Sequence, residues 1–196
     1  MATVREGNRQ VLVVVDVQVG VVKDAWERTR VIKNIATAVE RARVAGVPVI
    51  WVQHSNDEFP KNSPQWQWVQ ELAPAESETL IHKQYNSSFE STTLADELAR
   101  LGATHIVLAG AATNWCIRAT AYGALDRGYD LTLLKDAHTT NSMQIDGGVT
   151  IDAERVIQEL NIAMKWLEYP GVKNDTALAA EVEFAELGGP KREPAA

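Results

Sequence analysis

Short apolar runs along this chain alternate with longer stretches in which apolar residues return every third or fourth position. Residues 11–17, VLVVVDV, are apolar except for Asp16 and read as a strand covered on both faces of a parallel sheet. From residue 25 to 44, Ile32, Ile35, Val39 and Ala42 recur at helical spacing, and Gly46 supplies the stop. Residues 47–53 form the second predicted strand, with Pro48 tolerable near its start because the first residues of a strand can lack a ladder donor. Residues 79–82, 105–109 and 130–135 are predicted as the third, fourth and fifth strands. Helices are predicted over 91–101 (Leu94, Leu98, Leu101), from the Thr113–Asn114 pair to Gly128, and over 150–167 with Thr150 as N-cap. Strands alternating with helices mean an α/β protein with a doubly wound, mostly parallel sheet covered on both faces.

Two stretches break the alternation. Residues 54–75 are rich in Asn, Ser, Pro and charge around Trp66 and Trp68, and are too long for a plain connection, so a functional loop or a short helix is expected. Packing is the favoured role for the two tryptophans. After residue 168 the periodicity fades. Residues 181–184 are expected as an extended arm reaching across a subunit boundary, and 186–196 as a disordered tail behind one domain spanning 1–185.

Composition narrows the functional classes. The 196 residues are 45% hydrophobic and 23% charged, which suits a globular chain. The net charge is −7 and no basic run is present, so nucleic acid is not an expected partner. No stretch approaches the apolar length that spans a bilayer, and the N-terminus lacks an apolar leader core; no membrane association and a cytoplasmic location are expected. The single cysteine, Cys116, excludes an internal disulfide and a Cys-rich zinc site.

Three residues could carry chemistry. Asp16, Lys83 and Cys116 each stand at the predicted carboxyl end of a different strand, where open α/β sheets bind ligands. Cys116 falls in the first turn of a predicted helix, whose unpaired N–H groups and dipole favour a thiolate; a lowered thiol pKa is expected. The same N–H groups could receive an oxyanion. Each residue has a plainer reading: cysteine as a small buried hydrophobe, aspartate as a turn cap, lysine as a solvated surface charge.

VLVVVDVQ, then HKQYNSSFESTTLADELARLG, then HIVLAGAATNWCIRATAYGALDRGYDLTLLKDA resemble the isochorismatase-like cysteine hydrolases. The matching features are an Asp after the first apolar strand, a Lys ahead of a Ser-x-Phe-x-x-Thr-x-Leu segment within 87–94, and the Gly-x-x-Thr-x-x-Cys helix start at 110–116. The resemblance covers residues 11–138. It implies a three-layer α/β/α fold, Asp16 as general base and acid, Lys83 as electrostatic support and Cys116 as nucleophile. It further implies a cis peptide between Ala111 and Ala112, with the N–H groups of Ala112 and Cys116 forming an oxyanion hole. The implied activity is cleavage of a C–N bond in a small amide or lactam through a thioester, without a cofactor and in a homo-oligomer.

His54 and Asp57 look like a fragment of a metal site, but nicotinamidase relatives carry an Asp-x-His unit and further histidines near this place, and WVQHSNDEF has no such unit. No metal is expected, and His54 is read as a loop or pocket-lining residue. Gln18, Tyr85, Phe89 and Trp115 are candidate substrate contacts, Gln18 because it shares a strand face with Asp16. Isochorismatase-type vinyl-ether hydrolysis, which does not need the cysteine, and a non-catalytic binding role on the same fold are the alternatives. Nucleotide binding is disfavoured because neither strand-to-helix turn carries a phosphate-binding glycine motif.

Overall fold

The computed structural model describes residues 9–184. In chain order its strands are β1 (Gln10–Val15), β2 (Val49–His54), β3 (Thr79–Lys83), β4 (His105–Ala111), β5 (Asp130–Thr139), β6 (Met143–Ile145), β7 (Val149–Ile151) and β8 (Asn174–Ala177). The helices are α1 (Arg28–Val44), α2 (Leu94–Arg100), α3 (Arg118–Asp126) and α4 (Ala153–Trp166). Six strands form a parallel sheet in the order β3-β2-β1-β4-β5-β8, while β6 and β7 make a separate antiparallel hairpin.

Alternation along β1 builds the three layers. Leu12 and Val14 pack with Ile32, Ile35, Val39 and Ala42 of α1 on one face. Val11, Val13 and Val15 pack on the other with Leu94 and Leu98 of α2, Ala121 and Leu125 of α3, and Leu160 and Met164 of α4. Because both faces of the central strand are covered, both sets of alternating side chains must be apolar, which is why β1 reads as an unbroken run.

The chain runs outward from β1 through β2 to β3 and then returns to the other side of β1 as β4. This reversal opens a crevice at the carboxyl ends of β1 and β4. Gly110, paired in register with Val15, has φ 128. A Cβ there would sit 2.0 Å from the carbonyl oxygen of Val15, so only glycine lets β4 approach β1 where Asp16 leaves the strand.

Departures from expectation fall where the pattern is short or polar. The sixth strand, β8, is the polar-rich segment NDTA at the sheet edge, and the β6–β7 hairpin turns on Gly147 and Gly148. Thr150 lies inside β7; the cap of α4 is Asp152, whose carboxylate accepts from the N–H of Arg155 at 3.3 Å. Residues 54–75 contain no helix. They are pinned by packing of Trp68 against Trp51, with ring centres 5.3 Å apart, and of Trp66 beside His82 at 5.5 Å. Residues 181–184 do not extend as an arm: Val182 is buried in the core, and its carbonyl accepts from Arg41 at 2.8 Å. The expected tail at 186–196 lies outside the described residues. Among the described residues no helix is long and apolar enough to cross a membrane.

Candidate functional site

The crevice gathers one residue from each of several strand ends. Asp16 follows β1 with φ 52, a left-handed conformation that aspartate tolerates better than most side chains. Lys83 ends β3, and Cys116 lies beyond β4 in a π-helical turn, Thr113–Ile117, that leads into α3. The wider turn is closed by the N–H of Ile117 donating to the carbonyl of Ala112 at 3.1 Å. The Ala111–Ala112 peptide is cis.

Lys83 Nζ ties the site together, 2.6 Å from Asp16 Oδ2 and 3.2 Å from Cys116 Sγ. All three side chains are shielded from solvent, Cys116 being 8% exposed. Besides this ion pair, the Asp16 carboxylate lies within hydrogen-bonding reach of the Cys116 thiol, so a path for the thiol proton is in place. Burial raises the Asp16 pKa despite the opposing pull of Lys83.

The expected thiolate is corrected here. Burial, reinforced by the negative charge of Asp16, pushes the Cys116 thiol up to about 12, and Lys83 only partly opposes this. The helix start does not lower the thiol because the sulfur is held in a nearly dry pocket beside an anion. The resting arrangement is therefore a neutral thiol next to an Asp–Lys ion pair.

The turn carrying Cys116 is anchored from behind. Thr113 and Asn114 do not cap the helix with their side chains. Thr113 Oγ1 instead meets His138 Nδ1 at 2.9 Å, and His138 Nε2 meets Asn161 Oδ1 at 2.9 Å. Since Asn161 Nδ2 donates to the carbonyl of Lys135, its Oδ1 must accept, which assigns the His138 proton to Nε2 and the Thr113 hydroxyl as donor to Nδ1. Burial lowers His138 to about 4, keeping it neutral.

Two of the candidate substrate contacts are buried and have partners within the protein. Gln18 is wholly buried, and its amide donates to the carbonyls of His54 and Trp66 at 2.9 and 2.8 Å and accepts from the N–H of His54 at 2.8 Å. These bonds tie the 54–75 loop to the end of β1. Phe89 is buried, stacked on Tyr129 at 6.1 Å with the Arg127 guanidinium 4.7 Å from its ring. Tyr85 and Trp115 are each 54% exposed at the crevice rim, and the carbonyl of Tyr85 accepts from Lys83 at 3.1 Å.

Asn86 joins the site without a sequence signal that named it, and His54, read from the sequence as a loop or pocket-lining residue, joins it from the end of β2. Asn86 Oδ1 accepts from Cys116 Sγ at 3.9 Å. His54 ends β2, in register with Lys83, and its Nδ1 is 3.3 Å from Lys83 Nζ. Asp57 is exposed, and among the described residues no group of three His, Cys, Asp or Glu side chains is gathered for a metal ion. A cavity of about 260 Å³ opens beside Lys83, lined by His82, Tyr85 and Ser91 among others. A larger one of about 990 Å³ lies at the opposite ends of the strands, around His105, Asp130 and Asn174, and has no part of the triad in its wall.

The sequence matches the Isochorismatase domain over residues 10–146. It is 31% identical over 148 residues to a streptothricin hydrolase of Streptomyces noursei, covering 72% of this chain and 58% of that protein. It is 29% identical over 123 residues to a maleamate amidohydrolase of Pseudomonas putida, covering 57% of this chain and 58% of that one. The chain thus spans a little over half the length of these relatives. The fold is shared with an isochorismatase from Pseudomonas putida KT2440, with a TM-score of 0.79 at 24% identity over 92% of this chain and 94% of the other. With the domain matched over most of the chain and the parallel sheet it requires in place, this protein belongs to the isochorismatase family.

Proposed function

We propose that the protein hydrolyses a C–N bond of a small amide or lactam, with Cys116 as nucleophile. The single observation that carries this reading is one lysine nitrogen within reach of both a carboxylate and a sulfur in a shielded crevice. Both curated relatives bear the names of hydrolases, one of them an amidohydrolase.

The electrostatics imply an order of events. A thiol near 12 does not attack as a preformed thiolate; its proton moves to Asp16 as sulfur closes on the carbonyl carbon. Burial makes Asp16 a stronger base than an ordinary carboxylate, which suits it to take that proton. The C–S bond forms, and the carbonyl oxygen becomes an oxyanion held by the N–H groups of Ala112 and Cys116. Collapse breaks the C–N bond, and the amine leaves with the proton from Asp16. A water then gives its proton to Asp16 and attacks the thioester; the acid departs, and the proton returns to sulfur. Lys83 balances whichever of the carboxylate and the sulfur carries negative charge. No cofactor enters the cycle.

Replacement of Cys116 by Ala and by Ser, assayed on a panel of small primary amides and lactams, tests the covalent route. Loss of turnover in both is expected, and undiminished turnover in Cys116→Ala would remove it. Vinyl-ether hydrolysis is the second reading, favoured by one observation: Asp16, with its pKa raised by burial, could protonate an enol ether without the sulfur. Activity on such ethers surviving Cys116→Ala would select it. A homo-oligomer is part of the proposal, supported by exposed apolar side chains at Trp115, Ile162 and Trp166. The lone cysteine and acidic composition suit a reducing cytoplasm.

A further inference from the structure

Lys83 has three N–H donors and four acceptors around them. Asp16 Oδ2 lies at 2.6 Å, the carbonyl of Tyr85 at 3.1 Å, Cys116 Sγ at 3.2 Å and His54 Nδ1 at 3.3 Å. An ammonium group cannot satisfy four partners with three protons, so two must share. The carboxylate takes one proton because it is charged and nearest, and the Tyr85 carbonyl takes another as a good fixed acceptor. The third is divided between the sulfur and the imidazole, the two most distant partners.

We propose that His54 is a positioning residue for the nucleophile: its Nδ1 takes a share of the third Lys83 proton and so sets how much stabilisation the Cys116 sulfur receives. The division rests on placement. His54 is the last residue of β2, the strand between β1 and β3, and its pairing with Lys83 brings the two side chains together. Gln18 clamps the His54 backbone from both sides, through its N–H and its carbonyl, so the imidazole is presented from a fixed strand end. An ammonium at Nδ1 requires that nitrogen to be the acceptor, which puts the imidazole proton on Nε2. The charged groups acting on the ring are Lys83 and Asp16; burial and Lys83 both keep the imidazole neutral, as acceptance requires.

The inference rests on the amidase reading for its catalytic meaning, but its test needs no substrate. Cys116 is the only cysteine, so iodoacetamide alkylation of the intact protein, followed by mass spectrometry from pH 6 to 10, reports the sulfur alone. His54→Leu removes the acceptor and releases the third proton to sulfur; alkylation at pH 8 is expected to rise by about threefold or more. His54→Asn keeps an acceptor oxygen at the δ position and is expected to stay within about twofold of the parent. Should the leucine variant not fold, His54→Phe, which keeps a ring of similar shape without an acceptor nitrogen, takes its place with the same expectation. Equal rates in the parent and the acceptor-deficient variant overturn the proposal, and so does an equal change in that variant and His54→Asn, because packing alone would then explain it. The amide panel with Cys116→Ala decides the catalytic reading separately.

Discussion

Asp16→Asn should push the reactivity of Cys116 and the turnover of the enzyme in opposite directions. The substitution keeps the shape of the side chain and removes its charge. Lys83 Nζ is 2.6 Å from the carboxylate and 3.2 Å from the sulfur, so the two acceptors lie within about 6 Å of each other. At an effective dielectric of about 20, unit charges at that separation repel by about 2.8 kcal/mol, which is about a hundredfold in thiol acidity. The thiolate fraction near neutral pH should rise by that factor. A more acidic thiolate is a weaker nucleophile, with a Brønsted slope of about 0.4–0.5, so roughly a factor of ten survives as faster alkylation. Catalysis should instead fall by at least about a hundredfold, because the proton of each step has lost its carrier. Iodoacetamide kinetics at pH 8 and amide hydrolysis on the same preparation supply both readings, with thermal unfolding as the check on folding. Alkylation that slows or does not change would refute the claim that the Asp16 charge, added to burial, holds the thiol neutral.

Two further outcomes follow from the same geometry. His138 is neutral in its buried network with a pKa near 4, whereas an unfolded histidine titrates near 6.5. The unfolded chain therefore binds the extra proton, and stability present above about pH 6.5 is lost as pH falls toward 4. Urea unfolding between pH 7 and 5 should show the parent losing about 2 kcal/mol more than His138→Gln, and equal losses would contradict the assignment. Size-exclusion chromatography with light scattering should give a mass above the 21.6 kDa of one chain, and a monomer at micromolar concentration would remove the oligomer from the proposal.

The central strands and the main helices were legible because burial on both faces of a parallel sheet demands continuous runs, and burial on one face of a helix demands a repeat of three or four. At the sheet edge, β3 exposes Leu80 and His82 and is a weaker run. Asp16 was legible for a related reason: an acid closing a run of valines has no packing role to explain it. The hairpin and β8 left no such trace. Their residues are short, polar or exposed, and they pair because the neighbouring backbone offers an edge or a turn. Phe89 and Gln18 looked like pocket residues by position; their stacking on Tyr129 and bonding to His54 and Trp66 depend on tertiary neighbours that no local pattern names.

Sequence alone determined the fold class and which acid, lysine and cysteine could meet, since order along the chain and strand ends suffice for that. Tertiary structure decided the state of the meeting. Whether a thiol is ionised depends on how much water and which charges surround the sulfur, and those are set by side chains from β1, β2, β3 and the turn after β4 closing over it. His54 entered the site for the same reason: strand register, which no local pattern in β2 encodes, put its ring against Lys83.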